Sequence, residues 1–275
     1  MREPKFSFVE QIGVWEFAGS GPTVLFSHAT GFHGRCWDQI VARLPDDWRA
    51  LALDLRGHGR SPRPAGPVLW KDFGRDLASV AQALDIQSAI GVGHSMGGHA
   101  TAYAAVLRPA TFAGILLIDP VIRPAERYGK SWFEDHYARK RRNQWASADE
   151  MYERYKARAP FDKWDPQMLR DYCDYALRGN ELACEPDYEA TIYEQSSQRV
   201  SDIGDELSKI ECPVVVMRSF IDPGEGAVPD MNWSPCDPLL ADRLPFGVDR
   251  KVPYGHFIPM EAPGLVAAEI VGVRP

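Results

Sequence analysis

The chain has 275 residues, 45% of them hydrophobic and 25% charged, with a formal net charge of -7. This supplies a sizeable core for one large domain, or one domain with an insertion, and excludes a fibrous or disordered polymer. The acidic balance argues against a nucleic-acid partner, and the basic run ARKRR at 138–142, set among aromatic and acidic residues, reads as a solvated helix face. Cys36, Cys173, Cys184, Cys212 and Cys236 are widely spaced and odd in number, which fits neither a disulfide framework nor a zinc site. The opening MREPKFSFVE has no apolar leader, and no later run is long enough to cross a bilayer. A reduced, cytoplasmic protein is therefore expected.

FSFVE and VWEF alternate in polarity across a short link and predict an antiparallel pair of strands. Short apolar runs follow, TVLFSH (23–28), RALALDL (49–55), SAIGVGH (88–94) and AGILLID (113–119), separated by helical spacing over 36–44, 71–85 and 97–107. Such alternation predicts a mostly parallel sheet covered by helices on both faces. From 120 to 205 strand-like runs nearly vanish, and stretches such as ADEMYERYKARAP predict several short helices inserted between two strands. Strand and helix resume with CPVVVMRS (212–219), VDRKVP (248–253) and PGLVAAEIVGV (263–273). The predicted organisation is an α/β core in two parts, 1–119 and 206–275, with a helical cap over 120–205.

GHSMG at 93–97 places Ser95 at the turn from the strand AIGVG into the alanine-rich helix MGGHATAYAAVL. A sharp strand-to-helix turn lifts the hydroxyl above the end of the sheet, and small residues at 93 and 97 let two segments pass closely. The Met96 amide opens the helix and faces the place where charge would develop on a substrate oxygen. A serine nucleophile needs a base, and the base an orienting acid. His256, in YGHFIPME after the last strand, is the expected base, with His136 of the insertion as the alternative. His94 belongs to the turn, its ring expected to point away. Asp222, beyond CPVVVM, is the first candidate for the acid, Asp119 at the end of GILLID the alternative, and Glu225 a third. HATGFHG at 28–34 offers backbone amides, Thr30 opposite Met96, while His28 reads as a bridge between loops. Phe32 and His33 are candidates for the pocket rim, and Trp37 for rim or core.

HATGF, DLRGHGRS, GHSMGG and GHFIPMEAP, in that order and on both sides of the insertion, resemble the signature blocks of the α/β-hydrolase fold superfamily. The resemblance implies the α/β-hydrolase fold, a mostly parallel central sheet flanked by helices with an inserted helical cap. It implies Ser95 as nucleophile, His256 as general base, Asp222 as the acid, Thr30 as the source of an oxyanion amide, and structural roles for Asp54, Arg56 and His58. His-Ala at 28–29 departs from the commoner His-Gly, a change in the loop that keeps the amide. Serine at 95 argues against the epoxide hydrolase and haloalkane dehalogenase branches, which attack through a carboxylate.

These residues suit hydrolysis of a carboxylic ester or lactone of a small, largely apolar or aromatic molecule through an acyl-enzyme on Ser95, with no metal or organic cofactor. The alternatives are a cofactor-free perhydrolase, or a carbon–carbon bond hydrolase of a diketone acid using Arg123, Arg127 or the 139–142 cluster for the carboxylate. A non-catalytic small-molecule receptor is the reading from a different class. Phe32, Trp132, Phe133, Tyr137, Trp145 and Tyr155 are expected to line the pocket, with Tyr152, Phe161 and Trp164 as further aromatics, though helices packed on a core bury such residues too. The expected partner is a small-molecule substrate, without nucleic acid or membrane span, and homo-oligomer formation is left open.

Overall fold

The computed structural model describes residues 2–129, 135–220 and 233–273. β1 (Lys5–Val9) and β2 (Ile12–Phe17) form the expected antiparallel hairpin. Its two turn residues, Glu10 and Gln11, both take positive φ, the twist that a two-residue hairpin turn requires. The chain then runs through β3 (Thr23–Ser27), α1 (Asp38–Val41), β4 (Arg49–Asp54), α2 (Trp70–Ala83), β5 (Ala89–His94), α3 (Met96–Leu107) and β6 (Phe112–Ile118). An insertion follows, holding α4 (Ala148–Tyr155), α5 (Pro166–Tyr175), the small hairpin β7 (Leu177–Arg178) and β8 (Glu181–Leu182), and α6 (Pro186–Gln195). β9 (Val214–Ser219), β10 (Gly247–Val252), α7 (Ile258–Glu261) and α8 (Pro263–Gly272) complete the described elements.

The main sheet has eight strands in the order β1-β2-β4-β3-β5-β6-β9-β10, parallel from β4 to β10. Its central strands are buried on both faces, which is why they read as continuous apolar runs. Successive side chains divide the core in two. Leu25, Leu51, Leu53, Ile115 and Leu117 pack with Phe73 and Leu77 of α2, and Phe26, Ala50, Ala52, Leu116 and Ile118 pack with Ile40 of α1 and Val266 and Ile270 of α8.

The insertion sits on the carboxyl edge of the sheet and is tied to the core at several points. Asp165 N–H donates to the Met260 carbonyl at 2.8 Å, Gln39 Nε2 to Asp171 at 2.7 Å and Trp70 Nε1 to the Ile192 carbonyl at 2.7 Å. Two of its helices begin where their caps dictate: Ser147 accepts from Glu150 N–H, and Asp165, ahead of Pro166, accepts from the Gln167 and Met168 amides. The β7–β8 hairpin was not expected from sequence; its signal is Gly179-Asn180 between LR and EL, with Gly179 at φ 62°. The ARKRR run also differs from expectation. It forms a short 3-10 turn and loop, and Arg141 turns inward to Glu189 and the Tyr172 hydroxyl, because a buried carboxylate on α6 needs a cationic partner.

Candidate active site

β3 and β5 are adjacent, yet their onward connections lead to strands on opposite sides, β4 and β6. The loops leaving their carboxyl ends therefore diverge and open a crevice, the usual place for a ligand in such sheets. Ser95 stands at that crevice with φ 56° and ψ -116°, the strained conformation of a strand-to-helix elbow. Side chains at the flanking glycines would collide with backbone: a Cβ on Gly93 would lie 2.3 Å from the Gly97 carbonyl oxygen, and one on Gly97 would lie 2.1 Å from the Ser27 carbonyl oxygen. The elbow is clasped to the loop after β6, since Ser95 N–H donates to the Ile118 carbonyl at 3.0 Å and Val121 N–H to the Ser95 carbonyl at 3.1 Å.

Ser95 Oγ lies 3.0 Å from His256 Nε2, and His256 Nδ1 lies 2.6 Å from Asp119 Oδ2. Because the carboxylate can only accept, Nδ1 carries the proton and Nε2 is left bare toward the serine hydroxyl. Asp119 is fully buried, and its Oδ1 accepts from Ser219 N–H at 3.1 Å and from Ser234 Oγ at 2.5 Å. It sits at φ 41°, a left-handed position that its amide secures by donating to the Met217 carbonyl at 2.7 Å. The imidazole is thus engaged by the alternative acid, Asp119. Asp222 and Glu225 lie outside the described residues.

His94 is engaged by the segment that carries the base: its Nε2 lies 2.9 Å from the His256 carbonyl oxygen. Burial, followed by the neighbouring His256, lowers the His94 pKa to about 3, so the ring is neutral and its Nε2–H donates. Thr30 and Met96 meet across the crevice, with Thr30 Oγ1 donating to the Met96 sulfur at 3.3 Å. Met96 is the first residue of α3, where position leaves the amide without an intrahelical acceptor. Among the described residues, no group of three or more His, Cys, Asp or Glu is arranged to hold a metal ion.

His28 bridges loops, its Nδ1 donating to the Ala29 carbonyl at 2.7 Å and its Nε2 accepting from Leu55 N–H at 2.9 Å. Asp54 gathers the Gly34 and Arg60 amides and the Trp15 indole N–H, while Arg56 pairs with Asp76 of α2. His58 Nδ1 donates to the Arg56 carbonyl at 3.0 Å. His33 and Trp37 are not on the rim: His33 is buried against the Tyr172 carbonyl at 2.9 Å, and Trp37 is core beside Phe26.

A chamber of about 400 Å³ contains Ser95 and His256, walled by Thr30, Phe32, Trp70, Val121, Tyr137 and Phe257. His136, the alternative base, also lines it, but its ring stacks on Tyr193 at 4.2 Å and its Nδ1 accepts from Ala138 N–H. An adjoining cavity of about 460 Å³ shares Thr30, Phe32, Tyr137, Tyr193 and Phe257, and extends past Trp145, Tyr155, Phe161 and Trp164 under the insertion. Trp132 and Phe133 lie outside the described residues, and Tyr152 does not line either cavity. Sequence reasoning missed Trp70, Val121, Tyr193 and Phe257 of the pocket and the two serines that hold Asp119. Phe257 directly follows His256 and Ser219 ends the strand run CPVVVMRS, whereas nothing local marks Ser234 or Tyr193.

A family model described as the alpha/beta hydrolase family matches residues 24–269. The chain is 34% identical over 101 residues to 2-(acetamidomethylene)succinate hydrolase of Mesorhizobium japonicum, covering 37% of this chain and 36% of that protein. It is 35% identical over 103 residues to a non-heme chloroperoxidase of Streptomyces lividans, covering 37% of each. These matches span little more than a third of the length of either curated relative. The solved structure of E-2-(acetamidomethylene)succinate hydrolase superposes with a TM-score of 0.73 at 20% identity, over 98% of this chain and 99% of that one, a likeness of fold.

Proposed function

The chain belongs to the alpha/beta hydrolase family, and on that premise we propose that it is a serine hydrolase cleaving a carboxylic ester or lactone of a small molecule. The observation that carries the reading is the continuous relay from Ser95 Oγ to His256 Nε2 at 3.0 Å and from His256 Nδ1 to Asp119 at 2.6 Å, facing a chamber of about 400 Å³. His256 takes the serine proton as Oγ attacks the carbonyl carbon, and Asp119 stabilises the imidazolium that results. The oxyanion is held by the Thr30 and Met96 amides, whose position at the divergence of the β3 and β5 loops supports that role. Collapse expels the alcohol, protonated by His256, and leaves an acyl group on Ser95. Water, deprotonated by the same imidazole, then attacks the acyl carbon and releases the acid.

Asp119 is assigned as the acid in place of Asp222, because it occupies the one imidazole nitrogen that an orienting carboxylate must reach. We assign the cap to 120–205; the cavity under it joins aromatic walls, Trp145, Tyr155, Phe161 and Trp164, to a basic side, Arg142, Arg154 and Arg158, and the aromatic walls suit an apolar or aryl portion of the substrate. Hydrolysis of p-nitrophenyl esters from acetyl to octanoyl, with Ser95→Ala as control, tests the reading. Turnover that Ser95→Ala reduces to background is expected, and the preferred acyl length reports the depth of the chamber. Inactivity against the whole series, and against γ- and δ-lactones assayed beside it, would sink it.

A further inference from the structure

Arg123 lies just beyond Asp119 on the loop after β6 and lines the chamber that holds Ser95 and His256. Its Nη1 donates to the Ser196 carbonyl at 2.9 Å, and its backbone N–H donates to the Tyr128 hydroxyl at 3.1 Å. Nε and Nη2 have no protein partner among the described residues, and no described carboxylate lies within ion-pair distance. Other part-buried arginines of the chain differ. Arg35 is paired with Asp38, Arg56 with Asp76, Arg141 with Glu189 and Arg218 with Asp249. Burial lowers the Arg123 pKa, yet a guanidinium stays charged at any physiological pH.

A part-buried charge with no counter-ion among the described residues is a ready partner for an anion brought by a ligand. Phe32, Trp70, Val121 and Phe257 line the same chamber, and this apolar surface lowers the screening of an incoming anion. Nε and Nη2 present the edge of the fork that matches the two oxygens of a carboxylate. We propose that Arg123 receives a carboxylate carried by the substrate away from the scissile bond, so that the natural substrate is the monoester or lactone of a carboxylic acid bearing a second, ionised acid group. This rests on the serine hydrolase reading and specifies its substrate class.

The test compares monomethyl succinate, glutarate and adipate with their neutral isosteres methyl butyrate, valerate and hexanoate, followed by proton release at constant pH. At one chain length the wild type is expected to favour the anionic ester by tenfold or more in kcat/KM. Arg123→Gln is expected to lower kcat/KM for that ester by roughly 30-fold or more, chiefly through KM, and to bring the anionic-to-neutral ratio near one. Arg123→Lys, which keeps the charge and loses the fork, should fall between the two. A wild type with no anionic preference at any length, or a preference that survives in Arg123→Gln, would overturn the proposal while leaving the hydrolase reading intact. If no methyl ester of either kind is turned over, the hydrolase reading loses support, and calorimetric titration of monomethyl glutarate into Ser95→Ala still decides the role of Arg123. Binding that disappears in Ser95→Ala/Arg123→Gln supports it, and absence of binding refutes it.

Discussion

Replacing Asp119 by asparagine keeps the size of the side chain and reverses the proton it imposes on His256. The two donors on Oδ1, Ser219 N–H and Ser234 O–H, hold an oxygen on that side, so the carbonyl of the substituted amide must take it. The amide nitrogen then faces His256 Nδ1, which lies 2.6 Å from the native carboxylate. A donor there makes Nδ1 the acceptor and moves the ring proton to Nε2, the nitrogen that has to take the proton from Ser95. Loss of the correct tautomer, together with loss of the charge that stabilises the imidazolium, lowers kcat by about 10,000-fold in a buried triad of this kind. That is about 5 kcal/mol in the barrier. KM should change little, because Asp119 touches no substrate. Steady-state hydrolysis of a p-nitrophenyl ester measures the effect, with a thermal melt to establish that the variant is folded. Asp222→Asn, measured in parallel, should stay within about threefold of the wild type. An Asp119→Asn enzyme within tenfold of wild type, or a collapse on Asp222→Asn instead, would refute the assignment.

Three further outcomes follow from the geometry. Gly97→Ala should abolish activity and lower the melting temperature, since its Cβ would fall 2.1 Å from the Ser27 carbonyl oxygen and force the elbow away from β3; wild-type kinetics in this variant would contradict the close approach. His94→Phe removes the donor to the His256 carbonyl and should cost roughly 1–3 kcal/mol of stability, the penalty for an unsatisfied buried acceptor, together with a lower kcat, read by denaturant titration and ester kinetics. His33, His58 and His99 are buried and neutral, with pKa values lowered to about 4 by desolvation. Below about 6.5 the unfolded chain binds protons that the folded chain refuses, so stability is full above that pH and falls between about 6.5 and about 4, on the order of 2 kcal/mol per histidine at pH 5. Denaturant unfolding at pH 7 and pH 5 checks the sign; equal stability at both would contradict it.

Most of the core was legible because its strands are short apolar runs bounded by loops, and two-sided burial produces that pattern. Ser95 was legible because the elbow leaves no room for side chains at 93 and 97, a constraint that appears in the sequence as glycine. The acid was not. Asp119 and Asp222 both follow strands that end on the same edge of the sheet, and β6 and β9 are neighbours, so chain order permits either. What favours Asp119 is its left-handed backbone and the donors from Ser219 and Ser234, contacts that span 100 and 115 residues of chain and leave no local trace. The insertion was legible as helical and hardly further. Arg141 reads as one member of a basic run until its contact with Glu189 is seen, and Trp37 and His33 look like rim residues until their burial is known.

Ser95 as a nucleophile activated by His256 is tested most directly by reacting the protein with a fluorophosphonate, mapping the adduct by mass spectrometry, and measuring ester turnover before and after in wild type, Ser95→Ala and His256→Ala. The expected result is a single phosphonyl group on Ser95, loss of turnover in proportion to labelling, no adduct in Ser95→Ala and very slow labelling in His256→Ala. An adduct on another residue, or ester turnover that survives in Ser95→Ala, would contradict it.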